Sequence, residues 1–175
     1  MAVGLLLAAC TQAPPRPVSP PPILRLPPAS LGAELSLQQR LSVIHAARTQ
    51  HADALLQTDA HALRLVLLVG PRRLLTLSFD GERIDEQRDP ALPAELAGER
   101  FVSDIQLACW PADAIRSALP AGWSLIDDAR RRTLIHAGEP VTEIRYGQDQ
   151  RWLGRIDIEH VRAGYRLRIE SVPAR

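Results

Sequence analysis

Cys10 is the residue whose setting most directly specifies a reaction. It closes Leu7-Ala8-Ala9-Cys10 at the end of an apolar run that starts at Met1, and Thr11, Gln12 and a proline-rich stretch follow it. Small residues ahead of the thiol leave room for a signal peptidase. This is the pattern of a bacterial lipobox, in which the sulfur takes a diacylglycerol group and cleavage leaves Cys10 as a lipidated N-terminus. The run is too short to cross a bilayer, which needs about 20 apolar residues. Residues 1–9 are therefore expected as a lipoprotein signal peptide and Cys10 as the lipidation site. No Lys or Arg precedes the run, although a signal normally begins with a basic region, which points to a start codon further upstream. Thr11, rather than the Asp that retains lipoproteins in the inner membrane, favours a periplasm-facing position on the outer membrane. Three acyl chains make such anchoring stable, because one is marginal and two suffice.

The other reactive side chains suggest less. His45, His51, His61, His136 and His160 form no His-Glu-x-x-His, and the chain contains no Gly-x-Ser-x-Gly, P-loop or dinucleotide fingerprint. Asp157, Glu159 and His160 are close in sequence, but the two carboxylates share a strand face that is expected to be wet. Cys109 beside Trp110 reads as a small buried hydrophobe. Arg130-Arg131-Arg132 reads as charge on an exposed strand edge, with phosphate binding as the sharper alternative. No catalytic residue, metal or cofactor is expected. The 175 residues carry 21 basic side chains, all Arg, against 20 acidic ones, a formal net charge of +1, and this balance argues against a nucleic-acid binder. With 46% hydrophobic and 23% charged residues, the chain can bury a core but does not read as a multi-spanning membrane protein.

Eight of the 15 prolines fall between Pro14 and Pro28. Pro lacks an N–H donor and fixes φ, so this stretch reads as an extended, solvated spacer, and residues 10–30 are expected to be a tether. It also counts against the alternative for Cys10, a buried thiol on an N-terminal core helix. The folded domain is expected over 31–175. Its pattern is mostly period two: strands over 41–48, 52–58, 63–69, 75–79 and 83–88, with Asp80-Gly81 as the strongest hairpin turn. Helical spacing of Leu107, Ala108, Ile115, Ala118 and Leu119 follows, with Ser103 or Asp104 as cap. Pro111 divides it into a short segment ending at Trp110 and a helix proper over 111–119. Strands return over 123–127, 132–137, 141–146, 151–159 and 165–172. The fold class is α+β, nine or ten antiparallel strands interrupted by one helical insert.

This order of motifs resembles the outer-membrane lipoprotein receptor LolB and its periplasmic relative LolA, and more closely the LolB-like lipoproteins found beside polyene and fatty-acid-type gene sets. The resemblance is carried by the lipobox, the hairpin from Leu65 through Gly70-Pro71-Arg72-Arg73 to Leu75, the segment Asp104 to Arg116, the strand Val141 to Tyr146 and the closing Gly164 to Ser171. It implies an unclosed antiparallel half-barrel of about 9–11 strands with a helical lid, around an apolar cavity for acyl chains. On that analogy the cavity is lined by Leu65, Leu67, Leu75, Leu77, Trp110, Ile115, Leu119, Ile144, Tyr146 and Ile156, each of which serves equally as ordinary core. LolB carries an exposed Leu in the turn where this chain has Arg72 and Arg73. An apolar wedge is thus replaced by a basic tip, suited either to head groups or simply to water.

The resulting expectation is a monomeric, lipid-anchored protein that binds a hydrophobic acyl ligand or a lipoprotein, with a LolA-like carrier as candidate partner, and assists its placement at the outer membrane. A protein-interaction accessory of an export or assembly system is the alternative, distinguished by a core with no cavity. A hydrolase would need Ser or Asp within reach of His inside the cavity, where the assigned positions are almost all apolar.

Overall fold

The computed structural model describes residues 20–45, 48–92, 96–161 and 164–174, so Cys10, the expected signal peptide and the first half of the tether lie outside it. Ten strands form one antiparallel sheet. They are β1 (Leu35–His45), β2 (Arg48–Thr58), β3 (Leu63–Val69), β4 (Arg72–Phe79), β5 (Ile84–Arg88), β6 (Trp123–Asp127), β7 (Arg131–His136), β8 (Glu139–Tyr146), β9 (Gly154–His160) and β10 (Tyr165–Pro173), in the spatial order β5-β4-β3-β2-β1-β10-β9-β8-β7-β6. The sheet is not closed into a barrel. Between β5 and β6 in sequence run two helices, α1 (Gly98–Cys109) and α2 (Ala112–Ala118). α1 touches β5 and α2 touches β6, so the pair lies between the two ends of the sheet.

Alternation assigns the faces. Leu63, Leu65 and Leu67 are buried on β3, and their register partners Phe79, Leu77 and Leu75 are buried on β4. The row continues through Leu56 and Leu37 toward the middle of the sheet. On the far half, Ile169, Ile156 and Tyr146 stand opposite one another, as do Ile158 and Ile144. All of these join one core with the helices. The Asp80-Gly81 turn forms as expected, Asp80 Oδ1 accepting from the amides of Glu82 and Arg83 at 2.9 and 2.8 Å, with Gly81 at φ 108°.

Two expectations are corrected. The first helix starts at Gly98, so Ser103 and Asp104 are mid-helix residues rather than caps, and α1 rather than α2 is the longer helix. Gly98 permits a close approach: a Cβ there would collide with the Glu86 carboxylate and Leu77, and Glu86 Oε2 accepts the Gly98 amide at 3.1 Å. Acidic charge at a helix start is favourable, so β5 anchors the helix. The domain boundary also moves. Residues 20–31 are not a free tether, because Leu24, Leu26, Pro28 and Leu31 are buried in the core or against it. The segment is extended from Pro20 to Pro27, as its prolines require, and ends in a 3-10 turn, Pro28–Leu31. It lies along α1 as a strap. Gln106, fully buried, accepts from the Leu26 amide at 3.0 Å and donates to the Leu26 carbonyl at 2.8 Å. Ser103 accepts from the Leu24 amide and donates to the Pro22 carbonyl, and the Trp110 indole N–H reaches Ser30 Oγ at 3.0 Å. The helix thus supplies the partners that the strap's backbone needs when it is buried.

Candidate functional site

The expected cavity residues fall together on the face of the sheet that packs with the helices. Leu65, Leu67, Leu75, Leu77, Trp110, Ile115, Ile144, Tyr146 and Ile156 are buried in one hydrophobic cluster, and Leu119 packs against it partly exposed. Leu24, Leu26 and Leu31 of the strap belong to the same cluster. These positions therefore pack mainly against protein. The apolar surface that is less covered lies further along the same face. By register Leu41 sits opposite Ala52 and Ile169, and Val43 opposite Leu167, which is itself opposite Ile158. Leu41, Ala52 and Leu167 are half-buried and Val43 is 38% exposed. Phe101 and Ile105 of α1 are likewise half-buried. Sequence reading missed this stretch because its alternation is the same as that of the packed core.

The C-terminal turn of α1 is held by side chains of the sheet. Arg132, only 1% exposed, donates to the Leu107 carbonyl at 2.6 Å and to Asp127 Oδ1 at 2.8 Å. Arg151 also binds Asp127 and lies 4.8 Å over the Tyr146 ring. The Tyr146 hydroxyl donates to the Ala108 carbonyl at 2.8 Å. Two carbonyls that the end of a helix leaves open are thereby satisfied from β7 and β8. Burial alone would raise the Asp127 pKa, but its hydrogen bonds from Arg132 and Arg151 outweigh that and hold it below the ordinary carboxylate value. The expectation of three exposed edge arginines is corrected here: β7 is an inner strand and Arg132 points to the core. Arg131 pairs with Glu143 and Arg130 with Asp149, so the run does not present three free cations to a phosphate.

A second polar cluster joins residues that sequence reading left apart. His160, expected near Asp157 and Glu159, instead faces inward with Ile156 and Ile158 and is 4% exposed. Asp157 and Glu159 face outward against arginines: Asp157 with Arg155 and Arg168, Glu159 with Arg145 and Arg166. His160 stacks on Tyr165 at 4.4 Å and meets Thr142 Oγ1 at 3.4 Å through Nδ1. Across from it on α1 stand Asp104, 4.0 Å from Nε2, and Arg100, 3.9 Å from the Asp104 carboxyl. The alternation of His160 with Ile156 and Ile158 was the signal that could have placed it inside. Among the described residues no group of three or more His, Cys, Asp or Glu is arranged to hold a metal.

Burial, with the Arg100 cation adding to it, pushes His160 down to about 4. Burial pushes Asp104 up to about 7 against the pull of Arg100. Their effects on stability have opposite signs. Between about pH 4 and 6.5 the unfolded chain protonates His160 and the folded one does not, so this term raises stability with pH by about 1.4 kcal/mol per unit. Between 3.8 and about 7 the folded chain keeps the Asp104 proton that the unfolded chain loses, so this term lowers stability with the same slope. The two nearly cancel. Relative to wild type, D104N should therefore gain stability steadily on raising the pH from 4 to about 7, and H160Q should lose it from about 4 to 6.5. Urea unfolding across that range checks both, and variants that track the wild-type curve at a constant offset would overturn the assignment.

Arg72, at the β3–β4 turn, is bound by both oxygens of Asp89 at 2.6 and 2.8 Å, while Arg73 is exposed. The basic tip thus presents one paired and one solvated Arg. Cys109 is buried, and burial pushes its thiol up to about 12, which makes it unreactive near neutral pH. Two open depressions, of about 340 and 420 Å³, run along β1 and β2 around Arg40 and Asp53. No helix among the described residues is long and apolar enough to cross a membrane.

The family described as "Protein of unknown function (DUF3261)" matches residues 36–173, most of the chain. No curated protein matches it. A crystal structure of a DUF1329 family protein from Desulfovibrio piger is similar at 6% identity over 83% of this chain and 87% of that one, with a TM-score of 0.35, too low to bear on function. The match does not carry the LolB name. The chain belongs to the DUF3261 family.

Proposed function

We propose that this DUF3261 protein is a lipid-anchored lipoprotein that binds an acyl-type hydrophobic ligand on the helix-packed face of its open sheet and helps place it at the outer membrane. The observation that carries this reading is the incompletely covered apolar stretch formed by Leu41, Val43, Ala52 and Leu167, which continues the packed core where helices and strap leave it. An acyl chain laid there extends the core, at about 0.8 kcal/mol for each methylene removed from water. The α1–α2 insert is the lid in this reading, and Cys10 the anchor. The test is native mass spectrometry of the protein purified from a Gram-negative host. A co-purifying acyl lipid at near-stoichiometric amount is the expected result, and L167D should strip it while leaving the fold intact.

A protein-interaction accessory of an envelope assembly system is the second reading. It is favoured by the packing of nine of the ten expected cavity residues into the buried core. A protein that stays free of lipid after incubation with phospholipid and lipopeptide would make that the working function.

A further inference from the structure

Three buried polar atoms between α1 and β9 have no hydrogen-bond partner in the protein: Nη1 of Arg100, Oδ1 of Asp104 and Nε2 of His160. They surround one carboxyl group. Arg100 Nη1 stands 3.9 Å from Asp104 Oδ1, and His160 Nε2 stands 4.0 Å from Asp104 Oδ2. Each gap is too long for a hydrogen bond; a protonated carboxyl carries one O–H, so a single oxygen about 2.8 Å from both can accept from Arg100 Nη1 and Asp104 Oδ1 across the first gap at roughly a right angle, which leaves His160 Nε2 to donate to a second acceptor. Buried polar atoms are nearly always paired, so three unpaired ones on adjoining side chains point to a group that all of them can bind.

The side chains are held in place from behind. Arg100 Nη2 donates to the Pro21 carbonyl of the strap at 2.9 Å, and the His160 ring is fixed by Tyr165 and Thr142. The three polar atoms are themselves buried, while the Arg100 and Asp104 side chains that carry two of them are 23% and 16% exposed. It also adjoins the uncovered apolar stretch. On β10, Tyr165 is opposite His160, and two residues on, Leu167 is opposite both Ile158 and Val43.

We infer that Arg100, Asp104 and His160 seat the carboxyl group of a single-chain fatty acid whose tail lies along Leu167, Val43 and Leu41. The inference rests on the acyl-binding reading and deepens it: the ligand is a free acid, not an acyl group in ester or amide linkage. Arg100 and the Nε2–H tautomer of His160 donate to a carboxylate, while an alcohol or ester offers them no charge. Burial keeps Asp104 protonated up to about pH 7, and in that form it donates rather than repels. The titratable groups around the seat are Arg100 and Asp104 from α1, His160 from β9 and Tyr165 from β10.

The experiment is equilibrium dialysis of labelled palmitic acid and hexadecanol, at submicellar concentration, against the full chain carrying Cys10→Ser. Wild type should bind the acid at least tenfold more tightly than the alcohol at pH 6.5. R100Q and H160Q should each lose that preference with the alcohol's affinity unchanged. Acid affinity should fall between pH 6 and 8.5 as Asp104 ionises, and D104N should flatten that fall. Equal binding of acid and alcohol to wild type, or a preference that survives in folded R100Q or H160Q, overturns the carboxyl seat and leaves acyl binding standing. Failure of wild type to bind either probe overturns both. If one variant does not fold, the other and the wild-type preference still decide.

Discussion

Replacing Arg132 by Met should remove about 3–5 kcal/mol of stability, the cost of breaking a buried ion pair by deleting one partner. The guanidinium is 1% exposed and joins three elements: β7, which carries it; Asp127 at the end of β6; and the Leu107 carbonyl in the last turn of α1. Without it, Asp127 keeps Arg151 but loses half of its support, and the Leu107 carbonyl is buried with no donor. Folded domains are stable by only about 5–15 kcal/mol, so the loss should be visible as a large drop in the urea midpoint with the slope unchanged. Y146F removes one donor to the neighbouring Ala108 carbonyl and should cost only about 1–3 kcal/mol. A loss below about 1 kcal/mol for R132M would mean that the helix end finds its partners elsewhere.

A chain beginning at Gly32 should fail to fold cooperatively. Leu24, Leu26 and Leu31 each contribute about 1.5–3 kcal/mol by burial, and their removal opens α1 to water. It also strands Gln106, whose amide serves both the N–H and the C=O of Leu26. Q106L is the graded version. It leaves the strap present but two buried backbone groups unpaired, at about 1–3 kcal/mol each. Near-UV circular dichroism, which reports the packing of the aromatic side chains, buried Trp110 among them, distinguishes the cases: the truncated chain should lose the signal, and Q106L should keep it and melt earlier. A truncated chain that melts within a few degrees of the full one would show the strap to be a passenger.

Most strands were legible because β3, β4 and β9 keep period-two alternation, and the DG turn fixed the β4–β5 hairpin; β7 buries three residues in a row, and the strand expected over 41–48 starts too late for β1 and overruns its end at His45 to the first residue of β2. The helix start was not. Gly98 ends a stretch rich in Pro, Ala and Gly from Pro90 onward, a composition that suggests a break, and it stands there because β5 comes too close for a side chain, a reason that exists only in three dimensions. The strap was misread because proline density outweighed a weaker signal, the alternation of Leu24 and Leu26 with Ile23 and Arg25. Arg132 was misread because charge was taken to mean exposure, whereas its partner Asp127 lies across a strand pair. The Arg100–Asp104–His160 cluster spans a helix and a strand that no local pattern connects. Proximity in sequence suggested Asp157 and Glu159 as the partners of His160, and the pleat turns both of them away from it.

The sheet order has a consequence for how the chain reaches its fold. Every neighbouring pair of strands is consecutive in sequence except β1 and β10, where Leu41 meets Ile169. Two local meanders, β1–β5 and β6–β10, can form quickly from short-range contacts, but the seam between them must wait for the last strand to be made. Such long-range closure is the slow part of folding. Until it happens β1 keeps an unpaired edge and the apolar inner face stays partly open, the conditions under which strands join with the wrong neighbour. A chain that emerges N-terminus first would pass through that state each time it is made, so its yield should depend on being shielded until β10 arrives.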